Sequence, residues 1–452
     1  MRKPNEQVVA TLPNLFRILL DHEDWKGIIG YDEFSGVVVK RRKPPFGAGA
    51  EIGEWSDLDD GRLALWLAQQ FNLDPKDTML SRAVMNVADV NRFHPVRDYL
   101  VALAWDGVPR LNFWLCAYLG AEPRYYALAD EPRLGGTQPA AKFLGNKYLE
   151  VKKLQAAGKL AEYTAAVGAK FMIGAVARVL RAGCKMDNVL ILEGVQYLGK
   201  SSALSVLAEP WFTDQQIKIG DKDTYEVMRG QWVVELPELD ALSRAETASA
   251  KAFFSRPVDR FRTFYGRRAA KVSRQCVFAG TVNHYQYFQD SSGNRRYWPV
   301  RCTRVDLEEL ARERDQLWAE ALVRFKADEK WWVLPDEKPM FDAEAEARYV
   351  GDAWENRIRR WLEDVDQDGA RNEVTMDQLL AGALALDAAK WTRSEQTRVG
   401  QLMERIGWGS RGRPQGDGGA RLRVYRRPGW EPASNLSNLV QPRPTYGTGE
   451  NA

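Results

Sequence analysis

The sequence predicts an α/β fold built around a parallel β-sheet, with a mostly α-helical domain before the sheet and a small winged-helix-like domain after it. Three short, mainly apolar runs predict the strands of the sheet, at 189–192, 232–234 and 276–283. Continuous runs of this length and composition are typical of strands that are buried on both faces. A glycine-containing loop and a helical segment follow the first run, as expected of a strand, a loop and a helix in a parallel sheet.

The loop that follows the first strand has the sequence GVQYLGKS at 194–201 and fits the phosphate-loop pattern G-x-x-x-x-G-K-[ST]. Backbone N–H groups of such a loop, together with the N-terminus of the next helix, form an anion site. Lys200 would then reach the β- and γ-phosphates of a nucleoside triphosphate, and the Ser201 hydroxyl would complete the coordination of Mg²⁺. The alternative is a chance match. The predicted nucleotide-binding residues of the loop are Gly194, Gln196, Gly199, Lys200, Ser201 and Ser202.

Two acids follow the second strand, Glu235 directly and Glu238 three residues later. In phosphate-loop enzymes, an acid at this place holds Mg²⁺, and a neighbouring acid orients or deprotonates the attacking water. We assign Glu235 to the metal and Glu238 to the base, although the spacing also allows the reverse. The alternative is a pair of surface acids after a core strand.

The third strand leads to Asn283. If the three strands are parallel, the Asn283 amide lies beside the γ-phosphate and the attacking water. The alternative is that Thr281 and Asn283 only begin a turn, where asparagine is common.

Two adjacent arginines, Arg295 and Arg296, follow a Gly-Asn pair after the third strand. A guanidinium is a forked donor to phosphate. In a ring of subunits, one of the two would act as an arginine finger on a neighbour's nucleotide. The alternative is a solvated or ion-paired couple of arginines.

The segment at 256–271 is basic, with interleaved aromatic residues and a glycine at its centre. This composition is typical of a hairpin that follows a nucleic-acid backbone, with Arg267, Arg268 and Lys271 as the contacting residues. A solvated basic face is the alternative, and the sequence does not decide between the two.

The length and the distribution of turn-forming residues predict several domains in the 452 residues. Within the first of them, two short strands around a turn predict a hairpin at 28–40. An amphipathic helix is predicted at 343–363. The order that follows it, a strand, two helices and a two-stranded basic wing, fits a winged helix that could bind nucleic acid. The predicted boundaries are 1–122 for the helical domain, 123–160 for a linker or insertion, 161–335 for the sheet domain, 336–428 for a helical connection and the winged-helix-like domain, and 429–452 for a disordered tail.

Composition excludes several classes of protein. Hydrophobic residues make up 45% of the chain and charged residues 28%, as in globular proteins. The four cysteines form no C-x-x-C pair, and the three histidines are scattered, so neither disulfides nor a zinc site are expected. We expect no membrane partner, because no apolar run approaches the ~20 residues that span a bilayer. The net charge of +3 means that nucleic-acid binding would rest on local clusters. A cytoplasmic location is expected.

Across about 14–428, the chain resembles the virulence-associated protein E family of phages, prophages and mobile elements, which is similar to the superfamily 3 helicases of the AAA+ class. The resemblance lies in an ordered set of motifs: NRFHPVRDYL, WDGVPRL, GCKMDNVLILEG, WVVELPEL, DRFRTFYGR, QCVFAGTVN and GNRRYWPV. It implies an AAA+-type phosphate-loop core and an ATP-driven ring motor on DNA, with ATP and Mg²⁺ as cofactors. Its partners would be single-stranded or forked DNA, further copies in a hexamer, and other replication proteins.

The resemblance also assigns roles to single residues. Asn283 resembles the sensor asparagine of the family, Arg295 or Arg296 the finger that acts in trans, and Lys185 a lysine that contacts nucleotide. One position departs from the family, because Tyr197 stands where members usually carry glycine. Two other functions stay open: a phosphate-loop kinase, which would need neither the hairpin nor the finger, and a DNA-binding initiator that uses ATP only to assemble.

Overall fold

The computed structural model describes residues 9–47, 50–127, 160–217, 221, 223–236, 252–262, 269–283, 294–349, 352–364, 371–412 and 423–430. The chain divides into two compact units, 1–349 and 350–452. The first unit contains both the predicted helical domain and the predicted sheet domain. The linker at 128–159 and the tail from 431 onward lie outside the described residues, and the predicted domain boundaries remain predictions.

The N-terminal part of the first unit is mostly helical and has its own apolar core. Four short strands form a sheet in the order β3-β2-β1-β4, and Trp25, Trp55 and Trp66 pack with leucines from three helices. Its elements are α1 (Leu12–Asp21), β1 (Ile29–Asp32), β2 (Val37–Lys40), β3 (Gly53–Glu54), α2 (Asp57–Phe71), α3 (Asp77–Val90), β4 (Arg92–Phe93), α4 (Pro95–Ala102) and α5 (Trp114–Leu119). The predicted hairpin at 28–40 is therefore confirmed as β1 and β2.

A five-stranded sheet forms the centre of the first unit, with its strands in the order β13-β7-β12-β9-β8, and every neighbouring pair is parallel. The predicted parallel sheet is thus confirmed. Leu190 and Leu192 of β7 face one apolar cluster, and Val189 and Ile191 face another, because successive side chains point to opposite faces. The strands are β7 (Val189–Glu193), β8 (Phe212–Thr213), β9 (Val233–Leu236), β12 (Val277–Val282) and β13 (Tyr297–Arg301).

Helices and two smaller strand pairs complete this unit. The pair β5–β6 flanks the residues at 128–159, and the pair β10–β11 is the antiparallel hairpin predicted at 256–271. These elements are β5 (Tyr125–Ala127), β6 (Leu160–Glu162), α6 (Tyr163–Leu180), α7 (Lys200–Ala208), α8 (Asp223–Val227), β10 (Val258–Arg262), β11 (Ala269–Ser273), α9 (Leu307–Lys326) and α10 (Lys338–Ala347).

Helix α6 is the core helix of the first unit. Its 18 residues are long and apolar enough to cross a membrane, but 83% of them are buried inside the protein. Trp232 and Trp318 lie in the same core, with ring centroids 4.0 Å apart. The apolar character of α6 is therefore explained by its packing in the core.

The second unit has its own core, formed around Ile358, Leu379, Val399 and Tyr425. Its three strands pair antiparallel in the order β14-β16-β15, so the strand predicted before the helices pairs with the predicted two-stranded wing. The elements are α11 (Ala353–Glu363), β14 (Glu373–Thr375), α12 (Met376–Gln378), a π-helical turn (Leu379–Ala383), a 3₁₀ turn (Ala388–Lys390), α13 (Arg393–Arg405), β15 (Gly409–Gly412) and β16 (Arg423–Arg426).

Candidate nucleotide site

The loop at 194–199 joins the end of β7 to the first residue of α7, at the carboxyl edge of the sheet. Gly194 needs to be glycine, because a Cβ at this position would lie 2.9 Å from the carbonyl oxygen of Cys302. Gly199 has φ +95°, a left-handed conformation that favours glycine, and it caps α7. The structure therefore explains why glycine occupies both of these positions of the phosphate-loop pattern.

Lys200 is buried, and its ammonium group bonds the loop itself. Nζ donates to the carbonyls of Gly194 at 2.7 Å and Val195 at 2.9 Å, and to Asn283 Oδ1 at 3.2 Å. Burial lowers the pKa of Lys200, while the nearby Cys302 and Glu235 act in the opposite direction. The sequence prediction that Lys200 and Asn283 share one site is consistent with this contact.

Glu235, in β9, lies beside the second residue of α7. Its Oε1 accepts hydrogen bonds from the Ser201 hydroxyl and the Thr281 hydroxyl, both at 2.7 Å. Its Oε2 is buried and has no hydrogen-bond partner among the described residues. Burial raises the pKa of Glu235, and the two hydroxyl bonds offset only part of that rise. A buried carboxylate with an unused oxygen next to a serine hydroxyl is a suitable environment for a cation.

Sequence reasoning missed Thr281 as a site residue. It is partly buried in a strand whose other residues are all buried, and its hydroxyl donates to the same oxygen of Glu235 as the Ser201 hydroxyl does. A polar residue two positions before Asn283 in an apolar strand was the available signal. It is uninformative without the sheet order that places β12 next to β9.

Asn283 follows the last residue of β12 and is exposed, and β12 pairs with both β7 and β9. The sheet therefore brings Lys200, Ser201, Glu235 and Asn283 together at one edge. Gln196 and Ser202 are exposed in the loop and at the start of α7. Glu238 lies outside the described residues, so its predicted role as a base remains a prediction.

Arg295, Arg296 and Lys185 lie at the opposite edge of the sheet. Arg295 and Arg296 directly precede β13, and Tyr297 at the start of β13 pairs with Val189 at the start of β7. The length of β7 separates these residues from the phosphate loop by on the order of 15 Å. The three side chains line a cavity of about 590 Å³ together with Trp332, Lys338 and Phe341, and we call it the cationic cavity.

Within the cationic cavity the two arginines differ. Arg296 Nε lies 3.6 Å from Asp187 Oδ2 and 3.3 Å from Ser255 Oγ, so the ion-paired interpretation applies to Arg296. Arg295 and Lys185 are exposed. Of the two arginines, Arg295 has the side chain that is more accessible to a ligand.

Of the predicted DNA-contacting residues, Lys271 is described and exposed in β11. Arg267 and Arg268 lie outside the described residues. The base of the hairpin is fixed by a buried ion pair, in which Arg274 donates to Asp259 at 2.9 Å and 2.6 Å. This bidentate pair joins the two strands of the hairpin at its base.

The fold and the site define a mixed α/β protein whose parallel sheet carries a glycine-containing loop and a helix at its carboxyl edge. Residues 140–350 match the family model of the virulence-associated protein E-like domain. This is the family that the motifs of the sequence predicted. No curated protein matches the chain.

Three solved structures match the chain with low TM-scores. Two apo structures of the NrS-1 C-terminal region (305–718) have TM-scores of 0.42 and 0.43 at 11% and 10% identity, and each comparison covers 91% of this chain and 98% of the other. A further apo form has a TM-score of 0.31 at 14% identity and covers 57% of this chain and 70% of the other. Similarity at this level carries no inference about activity.

Proposed function

We propose that the chain is an ATP-dependent DNA helicase or translocase that serves the replication of a phage, prophage or mobile element. One observation carries the proposal: Lys200, Ser201, Glu235 and Asn283 converge at one edge of the sheet, whereas Arg295 and Lys185 lie at the other. Among the described residues, a single subunit therefore offers only part of a triphosphate site at either edge of the sheet. Copies arranged head to tail in a ring would bring the two edges together, as heterologous interfaces do.

The residues at the phosphate loop suit ATP and Mg²⁺. The Ser201 hydroxyl and Glu235 carboxylate are hydrogen-bonded, and Glu235 keeps an oxygen without a partner among the described residues. Bound Mg²⁺ would neutralise charge on the phosphate oxygens. Lys200 would exchange its loop carbonyls for phosphate oxygens, and the Asn283 amide would orient the attacking water. An AAA+-type core of this kind would be hexameric and cytoplasmic in a bacterial host.

The hairpin β10–β11 supports DNA as the polymer on which the motor acts. Lys271 is exposed on this hairpin, and the buried Arg274–Asp259 pair gives the hairpin a rigid base. A rigid basic hairpin would transmit movement of the sheet domain to a bound strand. The C-terminal unit, in the winged-helix-like interpretation, would bind DNA or another replication protein.

ATP hydrolysis and fork unwinding by the full chain test the proposal. We expect DNA-stimulated hydrolysis and unwinding in the wild type, and a loss of at least about 100-fold in Lys200→Ala and Arg295→Ala. If the wild type hydrolyses ATP without stimulation by DNA and unwinds nothing, the helicase proposal is wrong. DNA binding with negligible turnover at saturating DNA would identify an initiator instead.

A mixing experiment tests whether the two edges complete one site. Lys200→Ala and Arg295→Ala damage opposite edges, so a mixed ring contains some interfaces with both residues intact. Equimolar mixing before assembly should restore about a quarter of the wild-type hydrolysis rate, because random mixing leaves roughly one interface in four intact. Light scattering with ATP and Mg²⁺ gives the mass, and a persistent monomer would contradict the ring.

A further inference from the structure

Glu193, the residue directly before the phosphate loop, is buried against an arginine from outside the sheet. The Arg348 guanidinium donates from Nε to Glu193 Oε1 at 2.8 Å and from Nη2 to Glu193 Oε2 at 2.9 Å. The side chains are 1% and 3% exposed. Two parallel charge-assisted hydrogen bonds fix direction as well as distance. The pair therefore orients the last side chain of β7.

The main chain at the same place is bonded to both neighbouring strands. The Cys302 N–H donates to the Glu193 carbonyl at 2.7 Å, and the Gly194 N–H donates to the Val282 carbonyl at 3.2 Å. These bonds hold the start of the loop to the sheet, while the Glu193 side chain holds it to Arg348. The position of the first loop glycine thus depends on an anchor outside the sheet.

Arg348 is itself fixed at the C-terminal end of α10. Its Nη1 donates to the Glu344 carbonyl at 3.1 Å and also bonds the Glu344 carboxylate. Glu344 accepts a further bond from Arg124 Nη1 at 3.0 Å. Burial by itself lowers the pKa of Arg348, but the bonds to Glu193 and the nearby carboxylates raise it overall, so Arg348 stays charged.

The other end of α10 lies at the cationic cavity, which Lys338, Phe341 and Asp342 line together with Arg295. Phe341 also packs on Trp298 of β13, with ring centroids 5.5 Å apart. A helix of ten residues is about 15 Å long, similar to the length of β7. Helix α10 therefore connects the two edges of the sheet.

A buried ion pair is a weak device for stability, because apolar side chains of similar volume often stabilise a core equally well. What an ion pair adds is a defined geometry. Because Glu193 directly precedes Gly194, the pair defines the geometry at the start of the phosphate loop.

We propose that Arg348 is a positioning residue, which fixes the start of the phosphate loop through Glu193 and couples it to the helix that lines the cationic cavity. This rests on the proposed function, because it concerns nucleotide binding at that loop. In a ring, a neighbour's nucleotide that contacts the cationic cavity would change the position of α10. The Arg348–Glu193 pair would transmit this change of position to the start of the phosphate loop.

The test uses the full chain with three changes: Arg348→Met, Glu193→Met, and both together. A fluorescent ATP analogue with Mg²⁺ gives the Kd, hydrolysis gives kcat and KM, and chemical denaturation gives stability. Arg348→Met should destabilise the protein more than Glu193→Met, because it removes a partner from two buried carboxylates, Glu193 and Glu344, whereas Arg348 keeps Glu344 when Glu193 is changed. Each single change should lower kcat/KM on the order of 10- to 100-fold. The double change should be more stable than Arg348→Met, because it no longer buries the Glu193 charge without Arg348, but it should not recover kcat/KM.

Lys40→Met is the control, because Lys40 forms a comparably buried ion pair with Asp59 in the N-terminal part of the first unit. It should lose stability while the Kd for the analogue stays at the wild-type value. If kcat/KM recovers together with stability in the double variant, or if the folded single variants bind the analogue like the wild type, the inference is wrong. A wild type that does not bind the analogue would overturn the proposed function, and this inference with it.

Discussion

At the scale of single residues, the site contains groups whose arrangement costs stability. Glu235 is buried with one oxygen lacking a partner among the described residues, and burial raises its pKa. Tyr197 has φ +64° and is 95% exposed, so it adopts a left-handed conformation without burying its ring. Unfavourable features of this kind concentrate at functional sites. The next two predictions concern these two residues.

Glu235→Gln should stabilise the protein at neutral pH while abolishing ATP hydrolysis. A carboxyl whose pKa is raised by folding binds its proton more tightly in the folded state, so its stability contribution is lost as pH rises from the unfolded pKa through the folded one. The stability gain of Glu235→Gln should therefore be small at acidic pH, where the carboxyl is protonated in both states, and grow as pH rises above the ordinary pKa of a glutamate. Chemical denaturation of both proteins as a function of pH measures this. A gain that is constant with pH would contradict the explanation.

Tyr197→Gly should raise the free energy of unfolding by about 1 kcal/mol, because glycine adopts the left-handed conformation without the steric cost of a Cβ. The exposed ring contributes little burial that could be lost. Tyr197→Ala is the control, since it removes the ring but keeps the Cβ, and it should give no gain. Equal stabilisation by glycine and alanine would mean that the ring, and not the backbone, is responsible.

At the scale of elements, the hairpin β10–β11 and the helix α10 were predicted with different success. The hairpin was expected from its composition, and its antiparallel pairing is confirmed. Helix α10 was expected as an amphipathic helix at 343–363, whereas the structure has two helices, α10 and α11, at Lys338–Ala347 and Ala353–Glu363. Periodicity alone does not locate such a break. The C-terminal end of α10 is polar because Glu344 and Arg348 form buried ion pairs there, Arg348 with both Glu344 and Glu193.

Lys271→Ala tests the hairpin as a DNA-binding element. Loss of one phosphate contact should weaken binding similarly for all sequences and reduce the slope of log K against log salt by about 1. Lys326→Ala is the control, because Lys326 is an equally exposed lysine at the end of α9. Titration of labelled single-stranded DNA at several salt concentrations gives both slopes. If the two variants behave alike, the hairpin lysine does not contact DNA.

At the scale of the whole molecule, the main result is the separation of the predicted site residues into two groups. The phosphate-loop residues lie at the carboxyl edge of the sheet, and the cationic cavity lies at the amino edge. The strand order explains why the sequence did not separate them. Arg295 lies far from Lys200 along the chain but next to β7 in the sheet, because β13 pairs with β7. The pairing of Tyr297 with Val189 places Arg295 at the start of β7, whereas the phosphate loop follows the end of β7.

The sequence by itself determined the parallel strands, the phosphate-loop pattern and the family of residues 140–350. These features are local or ordered along the chain, so residue spacing records them. Only the tertiary structure decided that Thr281 shares Glu235 with Ser201, that Arg295 lies opposite the loop, and that Arg348 binds Glu193. The residues of the Thr281–Glu235 and Arg348–Glu193 contacts are 46 and 155 positions apart in the chain. They depend on which strands become neighbours and on which helix packs across them, and a single sequence does not encode either in its local pattern.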